Sequence, residues 1–325
     1  MKPRAESQRR AAAAKPQAPA KTGPDLLEVY RNAVRSRVLD QRLEAWAETG
    51  LIDFALPALE WGGVLAAAAA ALRPGDWLFP SAREARMALW RGLPLDLFLA
   101  QQLGRELAGD GAKVLPAFPG LIADPARRVA SVPAGPAAHL PQAVGAAQAA
   151  RLRKEGSAVL AVCSGAAADE PDFHVALNFA GVWRVPFVLC VRLEPGEEER
   201  FDAASRAAAY GIEGTPVDGA ELDGVALAVA DALAAGEPRL LAVRRPREDG
   251  GLSSLRQRLR NGARPDDVTL AAEAERWCDE AMAAARVARL PPPGTLIEGV
   301  YASPPPTLED ELAVALGAPA IREDA

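Results

Sequence analysis

The sequence predicts an α/β fold: a doubly wound, mostly parallel sheet flanked by helices, followed by a C-terminal helical extension. The first observation is a series of short apolar segments, "AVLAVC" (158–163), "PFVLCVR" (186–192) and "RLLAVRR" (239–245). Their length and their branched apolar residues are typical of buried strands. The second observation is that helical patterns at 172–183 and 221–235 separate these strands. Strands that alternate with helices form parallel sheets with right-handed crossovers.

Residues 25–325 are predicted to form a single domain. Asp25 is a candidate N-cap for the first helix, whose apolar residues recur on one face. The polar segment 244–267 is predicted to be a mobile loop, and residues 268–325 are predicted to hold the C-terminal helices. Residues 1–24 are basic and rich in alanine and proline, which predicts a disordered arm. The alternative for this arm is a docking segment for an acidic partner.

Composition narrows the function classes. The 325-residue chain has a net charge of -6, which does not favour nucleic-acid binding. Its longest apolar run, "VLAAAAAAL" (64–72), is too short for a membrane span, and the first residues have no apolar core of signal-peptide type. A cytoplasmic protein is therefore predicted. The three cysteines, Cys163, Cys190 and Cys278, form no C-x-x-C pair, which favours buried thiols over a zinc site or a disulfide framework.

A ligand site is expected at the carboxyl ends of the strands, as in other doubly wound folds. This places residues 164–171 and 192–196 at one rim. The sequence has no G-x-G-x-x-G motif opening a helix and no G-x-x-x-x-G-K-[ST] motif, which excludes two common phosphate sites. The only histidines are His139 and His174, and both are interpreted as packing or capping residues, so a Ser-His-Asp triad is not predicted.

Four long stretches occur in a familiar order: "LLEVYRNAVRSRVLDQRL", "LRPGDWLFPSAREARMALWRGLPLDLFLAQQLG", "PQAVGAAQAARLRKEG" and "DFHVALNFAGVWRVPFVLCV". Together they resemble the alpha subunits of thiamine-diphosphate-dependent 2-oxoacid dehydrogenases of the pyruvate or branched-chain type. The resemblance covers most of residues 25–245 and a C-terminal segment, "GVYASPPPTLEDEL". It implies the thiamine-diphosphate-binding fold, a beta-type partner subunit and a heterotetramer.

The resemblance also implies what the rim should contain. In the family, Mg²⁺ holds the cofactor diphosphate and is bound by the Asp of a G-D-G loop, an Asn of an N-N pair and a backbone carbonyl. Here "CSG" (163–165) stands in place of G-D-G, and a shifted gap puts Gly165 at the Asp position. Neither alignment supplies a carboxylate. Leu193 and Glu194 replace the N-N pair.

Further departures from the family lie at the same site. Ala82 stands at a family tyrosine, "EWGG" (60–63) replaces G-Q-E-A, and the segment 244–262 lacks the family's histidine. Glu194 is interpreted as a solvated charge. No catalytic or metal-binding residue is predicted. The residues of a degenerate cofactor site are predicted to be Arg83, Ser164, Gly165 and Glu194.

Two hypotheses from different classes follow from the resemblance. In the first, the chain is a non-catalytic alpha-subunit homologue that acts in assembly or regulation with a beta-type subunit. In the second, it is a working alpha subunit that binds thiamine diphosphate and Mg²⁺, with Glu194 and backbone groups as replacement ligands. A third idea is a rim that binds another anionic metabolite through Arg83 and Arg192.

Self-association is also expected, because "PQAVGAAQAARL" (141–152) concentrates small residues on one predicted helix and resembles the family's helix at the subunit contact. The alternative is that this helix only packs against its own sheet.

Overall fold

Five parallel strands form the central sheet of this protein. The computed structural model describes residues 23–106, 122–132, 135–259 and 266–292, together with 305, 307 and 308. The strands are β1 Trp77–Phe79, β2 Val159–Ser164, β3 Phe187–Leu193, β4 Glu213–Asp218 and β5 Arg239–Arg244. They lie in the order β1-β2-β3-β5-β4, and every neighbouring pair is parallel.

Helices pack on both faces of the sheet. In chain order they are α1 Leu26–Glu48, α2 Gly62–Ala70, α3 Met87–Trp90, α4 Leu95–Gln102, α5 His139–Leu152, α6 Pro171–Trp183, α7 Ala203–Ala208, α8 Leu222–Ala234, α9 Leu252–Arg258 and α10 Asp267–Arg286. The apolar residues of α5, α6 and α7 share one core with alternate strand residues. Those of α1, α2, α8 and α10 share the other. The predicted doubly wound fold is therefore confirmed.

Alternation along β2 shows how the strands divide between the two cores. Val159 and Ala161 pack under α5 and α6, whereas Leu160 and Val162 pack under the opposite layer. All four side chains are completely buried. Successive strand residues point to opposite faces, so a strand covered on both sides must be apolar throughout. Each fully buried leucine stabilises the fold by about 2 kcal/mol.

Helix α1 begins as the sequence predicts. The carboxylate of Asp25 accepts hydrogen bonds from the backbone N–H groups of Leu27 and Glu28, over 2.9 and 3.3 Å. These bonds satisfy two donors that have no partner within the helix. The helix ends just before Gly50, whose φ of 71° lies in the left-handed region that glycine adopts at little cost.

The structure adds two strands and one helix to the prediction. Strands β1 and β4 were not predicted. Helix α9 lies inside the segment 244–267, so the prediction of loop is wrong for this part. Leu252 and Leu255 of α9 are buried, and their burial explains why this polar stretch forms a helix. The mobility of the segment stays a prediction.

Other expectations fall partly outside the described residues. Most of the arm 1–24 does so, as does the C-terminal segment after residue 292 apart from three residues. A helix in the predicted C-terminal helical region 268–325 is confirmed as α10, and the carboxylate of Asp266 caps it by accepting from the N–H of Thr269. Within the described ranges, no helix has both the length and the apolar character needed to cross a bilayer.

Candidate functional site

A cleft opens at the carboxyl ends of the strands, where the sequence places a ligand site. Ser164 at the end of β2 is in register with Arg192 near the end of β3, and β5 ends beside them at Arg244. The cleft has a volume of about 630 Å³. We call it the rim cleft; it is lined by Leu56, Leu59, Glu60, Trp61, Ser81, Ala82, Arg83, Gly135, Pro136, Ser164, Arg192, Glu194 and Arg245.

Glu194 follows β3 and faces into the rim cleft, where other side chains already bind its carboxylate. The indole Nε1 of Trp61 donates a hydrogen bond to Glu194 Oε1 over 3.0 Å. Arg192 lies 3.4 Å from the same oxygen, and Arg245 lies 3.6 Å from Oε2. Glu194 therefore keeps the solvent contact that its interpretation as a solvated charge requires, since its side chain is 44% exposed, but it also has three partners within the chain.

Arg192 is committed to partners within the chain. Its side chain is 4% exposed, and its Nε donates to Glu84 Oε1, whose side chain is fully buried. The hydroxyl of Ser81 also donates to Glu84. The guanidinium lies 5.0 Å from the centre of the Trp61 ring, in cation–π contact. Because the guanidinium is buried and already bonded to these partners, the geometry does not support Arg192 as an anion-binding residue.

Arg245, the first residue after β5, links two sides of the rim cleft. It forms an ion pair with Glu60 over 2.9 Å, in addition to its longer contact with Glu194. The chain after Arg245 packs closely on the start of α2, because a β-carbon built on Gly63 would lie only 2.4 Å from the carbonyl oxygen of Gly250. The first part of the segment 244–267 is thus packed against α2.

Arg83, one of the predicted site residues, belongs to the turn after β1. Its guanidinium donates to the carbonyl oxygen of Pro57 over 3.2 Å. In the described part of the chain it forms no ion pair with a carboxylate. Arg83 therefore lines the rim cleft with a positive charge that no acidic side chain among the described residues pairs with.

A buried ion pair positions the turn that carries Trp61. Asp40 on α1 accepts hydrogen bonds from the N–H groups of Ala58 and Leu59, each over 3.0 Å, and pairs with Arg86. Leu59 has a φ of 53°, an unfavourable value for a residue with a side chain. The bonds to Asp40 hold this strained residue in place. The turn then directs the Trp61 indole toward Glu194.

Ser164, the last residue of β2, and Gly165, the residue after it, lie beside the loop after β3. Ser164 lines the rim cleft. A β-carbon built on Gly165 would lie 2.3 Å from Glu197 Oε2. The same oxygen accepts the backbone N–H of Glu194 over 2.8 Å. The carboxylate of Glu197 therefore fills the space beside Gly165.

Burial raises the pKa of both thiols in the sheet. The pKa of Cys163 lies well above its usual range, and that of Cys190 is raised to about 12, because desolvation disfavours the thiolate. All three cysteines are buried and free, as the sequence predicts. Neither sheet thiol is suited to act as a nucleophile.

His139, the first residue of α5, is a packing histidine. It is fully buried and its Nε2 donates to the carbonyl of Val162 over 3.0 Å. Its Nδ1 has no hydrogen-bond partner in the described part of the chain. Burial lowers the pKa of the imidazole, so the neutral form is favoured.

Comparison with known proteins identifies the family. A sequence model of the family described as dehydrogenase E1 component matches residues 30–236, which is more than half of the chain. The chain belongs to the dehydrogenase E1 component family. The family match covers all of the sheet except β5.

Relatives within the dehydrogenase E1 component family are distant. The chain is 29% identical over 206 residues to the mitochondrial 2-oxoisovalerate dehydrogenase subunit alpha of Caenorhabditis elegans, an alignment that covers 60% of this chain and 47% of the relative. It is 30% identical over 203 residues to the corresponding mouse subunit, covering 60% of this chain and 45% of the relative. The aligned region spans about half the length of these relatives.

A solved structure supports the fold. The chain superposes on transketolase from Campylobacter jejuni with a TM-score of 0.51 and 16% identity, covering 80% of this chain and 48% of that chain. At this identity the likeness shows the fold alone.

The residues at the rim cleft do not fit a magnesium–diphosphate group. Ser164 and Gly165 provide no carboxylate on the β2 side. On the β3 side, Trp61, Arg192 and Arg245 already contact Glu194. Among the described residues, no three His, Cys, Asp or Glu side chains come together as a metal ion requires. A divalent ion bound through a diphosphate needs several oxygen ligands, and among the described residues the two carboxylates near this rim, Glu194 and Glu197, already accept hydrogen bonds from Trp61 and from the backbone.

The four predicted site residues lie at one rim, and the sequence missed several of their partners. Arg83, Ser164 and Glu194 line the cleft, and Gly165 lies under Glu197. The missed residues are Glu60, Trp61 as a hydrogen-bond donor, Glu84, Glu197 and Arg245. Arg245 and the "RLE" at 192–194 carried a usable signal, since charged residues at strand ends point to a rim. No sequence pattern indicates which of these charged residues contact one another.

Proposed function

We propose that this chain is a non-catalytic member of the dehydrogenase E1 component family that acts in assembly or regulation with a beta-type subunit. The observation that carries this proposal is the state of Glu194, the only acidic residue at the two family metal positions. Its carboxylate accepts from Trp61 and lies beside two arginines. A metal ion at Glu194 would have to displace these partners.

Exposed apolar side chains on helices α5 and α6, which cover one face of the sheet, support a role in assembly. Several large apolar side chains of α5 and α6 face solvent: Leu152 and Val182 are each 69% exposed, and Val175 and Phe179 are each 43% exposed. Val175, Phe179 and Val182 recur at helical spacing on one side of α6, and exposed apolar side chains grouped in this way favour a protein contact. The relatives in worm and mouse are named as alpha subunits. A beta-type partner and a heterotetramer are therefore proposed, as is a cytoplasmic location.

The working alpha subunit is the second candidate, and one observation favours it. The rim cleft is open, and Arg83 brings into it a positive charge without a carboxylate partner among the described residues. An arginine is well suited to pair with a phosphate. In this candidate function the protein would bind thiamine diphosphate and Mg²⁺ and decarboxylate a 2-oxoacid.

A calorimetric titration with thiamine diphosphate and Mg²⁺ distinguishes the two candidates. It is done on the purified chain alone and on the chain co-purified with a beta-type subunit, with a catalytically active family enzyme as the positive control. Loss of even an outer partner of a metal site costs ~10–100-fold in affinity. We expect no magnesium-dependent binding at micromolar concentrations. Saturable binding with the partner present would establish the working subunit instead.

A further inference from the structure

The gap between the loops after β2 and β3 contains an acidic side chain of the chain itself. Glu197 Oε2 lies 2.3 Å from the position of a β-carbon built on Gly165, and the carboxyl carbon lies 2.8 Å from that position. Both distances are below normal contact for a real β-carbon. Any side chain at position 165 must therefore displace the Glu197 carboxylate.

The carboxylate is fixed in this gap by the backbone. Glu197 Oε2 accepts the N–H of Glu194 over 2.8 Å, and the N–H of Glu197 donates to the carbonyl oxygen of Glu194 over 3.0 Å. Glu194 and Glu197 thus form a closed turn with two hydrogen bonds. The side chain of Glu197 is half-buried, so solvent competes only partly for its oxygens.

Space, not backbone conformation, explains the glycine at position 165. Gly165 does not adopt a positive φ, so its backbone conformation is open to other residues. Because the atom in contact is the end of a flexible side chain, a methyl group at 165 can be accommodated if Glu197 swings away. The cost is then the hydrogen bond from Glu194 N–H.

We propose that Glu197 is an internal occupant of the rim, whose carboxylate closes the gap between the β2 and β3 loops. In the alignment that places Gly165 at the family's Asp position, the family's acidic side chain and the chain's own Glu197 require the same space. The gap is therefore filled from the β3 side rather than left empty. This inference rests on the proposed loss of cofactor binding, because a cofactor with its metal requires the gap.

A double-mutant cycle tests whether Gly165 and Glu197 share this space. Gly165→Ala alone should lower the melting temperature of the full chain by about 2 °C, through loss of the Glu194 hydrogen bond. In the Glu197→Ala background the gap is open, so the same substitution should cost nothing further. Gly145→Ala is the control for a glycine with free space around it, since no atom lies within 4 Å of a β-carbon built there, and inside helix α5 it should leave the melting temperature unchanged or raise it. Equal effects of Gly165→Ala in both backgrounds would overturn the proposal.

Amide exchange at Glu194 provides a separate readout that does not depend on global stability. Exchange of this amide should become about fivefold faster in Gly165→Ala and in Glu197→Ala, as expected for the loss of one hydrogen bond. Glu197→Gln retains an oxygen at the same reach and should keep the protection, whereas Glu197→Asp is one methylene shorter and should lose it.

Unchanged exchange in Glu197→Ala would show that the carboxylate does not hold the gap. This outcome is distinguishable from failure of the proposed function, since cofactor titration of the unmodified chain reports on that question alone.

Discussion

Arg192 and Glu84 form an ion pair in which neither side chain has appreciable contact with solvent. The pair joins the end of β3 to the turn after β1. Removing one partner of such a pair leaves an uncompensated buried charge, which costs more than the intact pair contributes.

We therefore expect Arg192→Met to lower the free energy of unfolding by about 3–5 kcal/mol. Urea denaturation followed by circular dichroism measures the change. Arg153→Met is the matched control, because Arg153 is 75% exposed and its contact with Glu155 is 3.7 Å long. The control should change stability by less than ~1 kcal/mol. Equal effects of the two substitutions would contradict the assignment of a buried pair.

The Trp61–Glu194 hydrogen bond should contribute measurably to stability. Trp61→Phe removes the donor and leaves a smaller ring, so a loss of about 1–2 kcal/mol is expected. A double-mutant cycle with Glu194→Ala isolates the bond from the change in ring size. The coupling free energy should be about 1 kcal/mol. The same cycle with Glu198→Ala, an exposed acid of the same loop, should give no coupling. Coupling to both acids would argue for a general charge effect.

His139 should make stability depend on pH. Burial lowers the pKa of this imidazole in the folded chain, so the unfolded chain binds a proton more readily. The resulting stability is present above the unfolded pKa of about 6.5 and is lost as the pH falls toward the folded value. The loss cannot exceed ~1.4 kcal/mol per pH unit.

Chemical denaturation at neutral and mildly acidic pH measures this loss, and His139→Gln should remove it while keeping a donor for the Val162 carbonyl. His174→Gln, at an exposed position, is the control. An equal response from the two variants would exclude His139 as the cause.

Gly145 is exposed on α5, so a bulky substitution at this position tests self-association rather than packing within the chain. No atom of the described chain lies within 4 Å of a β-carbon built there, and leucine favours a helix more than glycine does, so Gly145→Leu should fold with an unchanged or slightly higher melting temperature. If the small-residue side of α5 is a subunit contact, the leucine should shift the chain toward monomer. Light scattering coupled to size-exclusion chromatography measures the mass. Ala234→Leu, on the exposed side of α8, is the control. A mass unaffected by Gly145→Leu would place the contact elsewhere.

The strands that the sequence predicts are those with strong local signals. β2, β3 and β5 are apolar because both of their faces are covered. β1 has only three residues between a turn and Pro80, and β4 contains Gly214 and Pro216, which weaken any strand pattern. Both are edge strands, recognisable only from their neighbours. Helix α9 was missed because two buried leucines in a polar stretch give a weak helical period.

The position of the candidate site follows from the topology of the sheet, but the hydrogen bonds and ion pairs between its side chains could not be predicted. Ser164 of β2 is in register with Arg192 of β3, as expected when the carboxyl ends of neighbouring parallel strands meet at one edge of the sheet. The bond between Trp61 and Glu194 joins residues 133 positions apart, and no local pattern reports it. The interpretation of Glu194 as a solvated charge is incomplete for this reason. Its sequence neighbours are charged and polar, whereas its spatial neighbours include an indole from another layer.

Strand β4 bears on how the chain behaves before any partner is present. It forms the outer edge of the sheet, where unpaired backbone groups can recruit a strand from another molecule. Pro216 lacks an N–H group, and the exposed Glu213 and Asp218, which pair with Arg239 and Arg244 of β5, place charged side chains at the two ends of the strand. These features disfavour edge-to-edge aggregation. Chains that are not bound to another protein should therefore be slow to pair with one another through this edge.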